Sequence, residues 1–178
     1  MGIAERTLAS LETEVSGPNG IEIVVPPEVK YARFKFAWAQ GHQVDALQSL
    51  KEFTSVLADD LTRYNALLAN HTDHDGTNGV NGILDNNPDV NHLRSRIGDV
   101  TKLKKLLAKS YLKQGEWQTA LQSGDWRPEH VREVLNAYSA ATQFNRDSYK
   151  AWHSWALANF EVVTTLAAQQ SRDGTSVP

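Results

Sequence analysis

The sequence contains no cysteine, which removes disulfides, thiolate nucleophiles and cysteine zinc sites together and fits a reducing compartment. It has no long apolar run: nothing approaches the ~18 residues of a membrane span, and Glu5 and Arg6 interrupt any signal-peptide plan at the N-terminus. Basic residues are not in excess. Lysine and arginine total 18 against 21 acidic residues, a net charge of −3. That balance argues against a nucleic-acid partner for the chain as a whole. With a mean hydropathy of −0.46, these absences predict a soluble, cytoplasmic chain, and 178 residues suggest one domain of ordinary size.

What is present is helical grammar. The stretch Ala108 to Leu121 places Ala108 and Tyr111 on one face, follows them with Gly115, and resumes with Trp117 and Ala120. Read locally, Gly115 ends one helix and opens a tight turn into an antiparallel partner. That order matches a tetratricopeptide-type hairpin, whose period is about 34 residues. Upstream, Tyr31, Phe34 and Trp38 share a face before Gly41. Val44, Leu47, Leu50, Thr54, Leu57, Leu61 and Tyr64 then recur at spacings of three and four, one stripe of a long helix. Ala46 stands to Gly41 as Ala120 stands to Gly115.

The remaining chain fits the same pattern. Ile3 to Leu11 is a short helix candidate, and Ile21 to Val25 before Pro26-Pro27 reads as an extended connector. Residues 70–91 are rich in Asn, Asp and Gly, have no apolar period, and read as a disordered surface insertion. A helix is expected from about Asp99, whose carboxylate caps it, with Leu103, Leu107 and Tyr111 inward. A short return helix runs from Glu116 to about Ser123-Gly124. Pro128 suits a first helical turn, and Val131, Val134, Leu135, Tyr138 and Ala141 form the next stripe. Asn145-Arg146-Asp147 breaks it. The last helix is expected to bury Tyr149, Trp152, Trp155, Ala156, Phe160 and Val163, ahead of a flexible tail from Ser171 to Pro178. Six or seven helices of unequal length predict an all-α fold, an irregular α-solenoid of antiparallel hairpins.

The residues offer little chemistry. His71, Asp73, His74 and Asp75 are crowded, but their spacing suits no helix face, and a calcium loop from Asp73 would need glycine where Asn78 stands and glutamate where Leu84 stands. There is no nucleophile elbow, P-loop or dinucleotide fingerprint. No catalytic, cofactor-binding or metal-ligating residue is therefore assigned. The cations are more suggestive. Lys102, Lys105, Lys109 and Lys113 share one helix face, downstream of Arg94 and Arg96. Arg146 and Lys150 lie one turn apart at the start of the last helix, where free N–H groups favour an anion, and Lys35 sits in the first hairpin. Such residues form either a solvated face or a polyanion site, and spacing alone leaves both open.

Three segments together resemble a known family: Tyr111 to Trp117, Tyr138 to Thr142, and Tyr149 to Glu161, which contains Tyr149-Lys150-Ala151-Trp152-His153. They resemble the C-terminal part of the helical FAT domain of target-of-rapamycin (TOR) kinases, and Pro27 to Leu50 resembles the preceding hairpin. The resemblance implies a piece of a larger serine/threonine protein kinase, with 1–26 ending an earlier repeat, 27–170 forming FAT repeats around the insertion, and 171–178 a tail. It also implies that the kinase domain, with its ATP and Mg, lies elsewhere in the parent. The implied partners are that kinase domain and the scaffold subunits of a TOR complex. The implied localisation is cytoplasmic, with the parent peripheral on vacuolar or lysosomal membranes. It further implies a structural inositol hexakisphosphate, carried over here to Lys35, Lys102, Arg146 and Lys150. A non-catalytic scaffold segment is the leading expectation. A free-standing helical-repeat adaptor that binds peptides in its groove is the alternative.

Overall fold

In the computed structural model the described residues are 25–72, 88–122 and 126–173, and all of their regular structure is α-helix. Five helices occur among them: α1 (Pro27–Ala39), α2 (Gln43–Thr72), α3 (Pro88–Gln122), α4 (Pro128–Phe144) and α5 (Tyr149–Asp173). The all-α expectation holds. The chain divides into two compact units, Met1–Ala46 and Leu47–Pro178. The Ile3–Leu11 helix candidate, most of the connector before Pro26 and the crowded residues Asp73, His74 and Asp75 lie outside the described residues.

In the first unit, Pro27 occupies the first turn of α1, where its missing N–H leaves no bond unmade. Gly41 adopts a positive φ of 95°, a conformation open to glycine without steric cost, and its N–H bonds to Trp38 O at 3.1 Å. Tyr31, Phe34 and Trp38 are half-buried. The stop at Gly41 is therefore where the sequence placed it.

In the second unit, α2 buries Leu47, Leu50, Phe53, Leu57 and Leu61. Thr54 belongs to the same stripe because its hydroxyl bonds back to Leu50 O at 2.6 Å, so its own polar hydrogen is not buried unpaired. The buried stripe is shorter at both ends than its period suggests, since Val44 and Tyr64 are exposed. Helix α4 buries Val134, Ala137, Tyr138, Ala141 and Thr142, and Pro128 opens it as expected.

Gly115 departs most from the sequence reading. No turn occurs there: α3 runs unbroken through Gly115 and Trp117 to Gln122. The short return helix from Glu116 is thus the last part of α3 and not a separate helix. The glycine serves a close approach. A Cβ at position 115 would stand 2.7 Å from Tyr138 Cε1 on α4. Tyr138 is itself buried, so the ring has no open space to move into, and burial pushes its phenol pKa up. Ala120, read as a contact residue, is exposed, whereas Trp117 is buried.

Two further differences concern α3 and α5. Helix α3 starts at Pro88, so Asp99 lies inside it, paired with Lys102 at 3.5 Å. Helix α5 continues through Ser171 to Asp173, and of its expected inward face only Trp155 packs against the core. Ala151, Ala158 and Val162 are buried at 1%, 5% and 6% exposure, while Tyr149, Phe160 and Val163 stand at 79%, 68% and 64%. Its inner face packs in a cluster with Trp126, Val134 and Tyr138, against which Leu112, Val131, Leu135 and Trp155 lie. The helix is apolar on two sides, so its period did not single out the buried one.

Candidate functional site

The sequence-predicted cations that come together lie at the corner between α4 and α5. Asn145 closes α4 through its N–H to Ala141 O, and Ser148 N–H bonds to Asn145 O, both at 3.2 Å. Ser148 then caps α5, its Oγ accepting from Ala151 N–H at 3.3 Å. The indole Nε1 of Trp152 donates to Arg146 O at 2.8 Å and ties the corner to the helix it precedes. Trp152 also meets Trp155 edge to face, with ring centroids 5.6 Å apart. The side chain of Arg146 is exposed and enters no ion pair among the described residues.

Lys150 is committed more closely. Its Nζ lies 2.8 Å from Glu116 Oε1 on α3, and Lys113 Nζ bonds the other carboxylate oxygen. Spacing on α3 makes the Lys113–Glu116 pair readable from sequence. The tertiary partner Lys150 is not readable that way, and Glu116 was missed as a site residue. Burial alone would raise the Glu116 pKa, but hydrogen bonds and charge from Lys113 and Lys150 outweigh it and hold the carboxyl below its ordinary range. A carboxylate whose folded pKa is depressed contributes stability above its unfolded pKa and loses it as pH falls through the folded pKa. We expect Glu116→Gln to flatten the acid limb of the α3–α5 unfolding curve below about pH 4.3, the ordinary glutamate value, relative to the parent sequence. Amide exchange measured across that range checks this.

The other two cations are placed elsewhere. Lys102 pairs with Asp99 on α3, about 21 Å along the helix axis from Glu116 at 1.5 Å per residue. Lys102, Lys105 and Lys109 are all exposed. Lys35 is exposed on α1, in the first compact unit. Within the second unit, then, Arg146 and Lys150 form the local pair and Lys102 does not join them. Among the described residues there is no group of three His, Asp or Glu side chains placed to hold a metal ion, and no helix is long and apolar enough to cross a membrane.

Comparison with known proteins decides the family. A model of the FAT domain matches residues 1–176. The chain belongs to the FAT domain family. Its curated relatives are TOR kinases. It is 37% identical to serine/threonine-protein kinase TOR2 of Saccharomyces cerevisiae over 184 aligned residues, covering 99% of this chain and 7% of that protein. It is 36% identical to serine/threonine-protein kinase tor1 of Schizosaccharomyces pombe over 137 residues, covering 77% of this chain and 5% of that protein. The TOR kinase of Arabidopsis thaliana matches at 28% over 90% of the chain and 6% of its own length. The chain thus spans a small fraction of the length of these relatives, and the helical structure of its described residues is consistent with a FAT domain.

Proposed function

We propose that this FAT segment is a non-catalytic helical scaffold within a TOR-type serine/threonine protein kinase, positioning the kinase domain and partner subunits. The observation that supports this reading is the outer face of α5. Tyr149, Trp152, Ala156, Phe160 and Val163 recur at spacings of three and four on the side away from the buried Ala151, Ala158 and Val162. A helix apolar on both sides suits an internal layer of stacked helices, with the outer stripe covered by neighbouring structure. A terminal repeat would instead present a polar cap. The test is Phe160→Ser with Val163→Ser in the full-length parent. Both side chains are exposed, so α3–α5 should keep their exchange protection while kinase output and co-purification of partner subunits fall severalfold. Unchanged output and unchanged subunit recovery would refute the scaffold role.

The same reading gives the Arg146–Lys150 corner a structural task, holding an inositol polyphosphate such as inositol hexakisphosphate. The donor chemistry fits. Arg146 is unpaired among the described residues, Lys150 is largely exposed beyond its bond to Glu116, and both stand at the N-terminus of α5. When bound, the polyphosphate supplies negative charge between helix ends; Arg146 and Lys150 would bind it by charge-assisted hydrogen bonds. Replacing both with alanine is expected to weaken polyphosphate binding by the parent at least tenfold, read by calorimetry. Undiminished affinity would remove these residues from such a site.

A further inference from the structure

A groove of about 520 Å³ lies within the second unit, between α2, α3 and α4, on the side that does not hold the Arg146–Lys150 corner. Its volume falls in the range typical of ligand sites, about 300–1,000 Å³. The floor is built from small residues, Ala58 on α2 and Ala137 and Ala140 on α4, which is why the three helices leave space there. One end is closed by an ion pair, Lys51 Nζ to Glu133 Oε2 at 3.0 Å, and Gln118 Nε2 donates to the same carboxylate oxygen at 2.7 Å. Asp59 stands two helical turns from Lys51 on α2, about 12 Å along the axis. It is exposed and makes no hydrogen bond or ion pair among the described residues.

The lining is rich in primary amides. Gln114, Gln118 and Asn136 all face the groove. Gln118 is 98% buried by its 2% exposure, and its Oε1 accepts no hydrogen bond, although its Nε2 is fixed by Glu133. A buried amide oxygen without a donor is unusual in a native fold and calls for a partner. Gln114 and Asn136 likewise make no hydrogen bond to other described side chains or backbone. Gln114 and Asn136 each offer a donor and an acceptor side by side, the pairing that a peptide group presents, whereas Gln118, with its Nε2 held by Glu133, offers the acceptor alone. The distance from the Lys51–Glu133 pair to Asp59 matches about four residues of extended chain at ~3.3 Å each. Lys51 is neutralised by Glu133, so the charge left over is that of Asp59.

We propose that this groove binds an extended polypeptide segment of about four residues, whose backbone is read by Gln114, Gln118 and Asn136 and which carries a lysine or arginine paired with Asp59. The amides set the conformation of the occupant, and the unpaired carboxylate sets its charge. The proposal does not rest on the scaffold role, since the groove lies on helices whose packing is independent of the α5 outer stripe.

The test uses the full-length parent protein and three fluorescent hexapeptide libraries, degenerate except for a fixed lysine, glutamate or leucine at the third position. Because the parent's kinase domain also meets peptides, the comparison is between wild type and two variants at exposed groove residues, Asp59→Lys and Asn136→Leu. Fluorescence anisotropy should show the lysine library bound at least tenfold more tightly than the glutamate library. Asp59→Lys should abolish or reverse that preference. Asn136→Leu should weaken the binding of the lysine library at least fivefold while α2–α4 keep their exchange protection. Equal binding of the lysine and glutamate libraries by wild type would overturn the proposal, as would wild-type affinity and preference in both variants.

Discussion

Gly115→Ala is expected to destabilise the α3–α4 pair by about 1–2 kcal/mol, although alanine is the better helix former. Two effects oppose each other. Removing glycine from a helix interior gains up to about 1 kcal/mol. Against it, the new methyl would stand 2.7–2.9 Å from three ring atoms of Tyr138, a side chain only 5% exposed. Overpacking a core in this way costs about 1–3 kcal/mol, and the clash wins. The argument makes a sharper demand than a single variant can meet. In a Tyr138→Leu background the ring atoms are gone, so the same Gly115→Ala change should become neutral or stabilising. A double-mutant cycle read by amide exchange of α3 and α4 measures the coupling, and additive effects would show that the ring is not the constraint.

A larger loss is expected from Trp126→Ala. Trp126 precedes α4 and is 5% exposed, packed with Val134, Tyr138, Ala158 and Val162. It joins residues of α4 and α5 in one cluster from outside either helix. Truncating a buried tryptophan costs about 3–5 kcal/mol, through lost transfer energy and the cavity left behind. Much of a domain's net stability lies in that range. We expect α4 and α5 amides to lose protection by at least a hundredfold, with Trp126→Phe restoring most of it. Similar protection in the alanine variant and wild type would contradict the assigned core.

How much of this was legible in the sequence differs from helix to helix. The stripes of α2 and α4 could be read because each has one apolar face, so period and burial coincide at Leu50, Leu57, Val134 and Tyr138. Gly41 could be read because its signal is local: a glycine between two periodic segments, with the backbone in the left-handed region. Gly115 gave the same local signal and has another cause. Its requirement is set by Tyr138, 23 positions away, and no local rule distinguishes a glycine that ends a helix from one that admits a neighbouring ring. On α5 two interleaved apolar stripes compete, and the larger side chains suggested the wrong one. Small alanines at 151 and 158 allow α5 to approach its neighbours closely, while Tyr149, Trp152 and Phe160 are exposed and only Trp155 of its aromatics packs against the cluster. The site followed the same division. Arg146 and Lys150 share a helix start as their spacing implies, but the carboxylate that engages Lys150 comes from α3. The family resemblance rested on contiguous segments, which is why it survived these errors in packing.

Oxidative footprinting of α5 in the full-length parent tests the central claim most directly, with the exposed Tyr64 on α2 as an internal reference. If this FAT segment is an internal scaffold layer, Tyr149, Phe160 and Val163 will be protected from hydroxyl-radical modification at least fivefold relative to the rates their exposure in the isolated segment implies. Modification at the full rate of an exposed aromatic stripe, in an intact and active parent, would contradict the account.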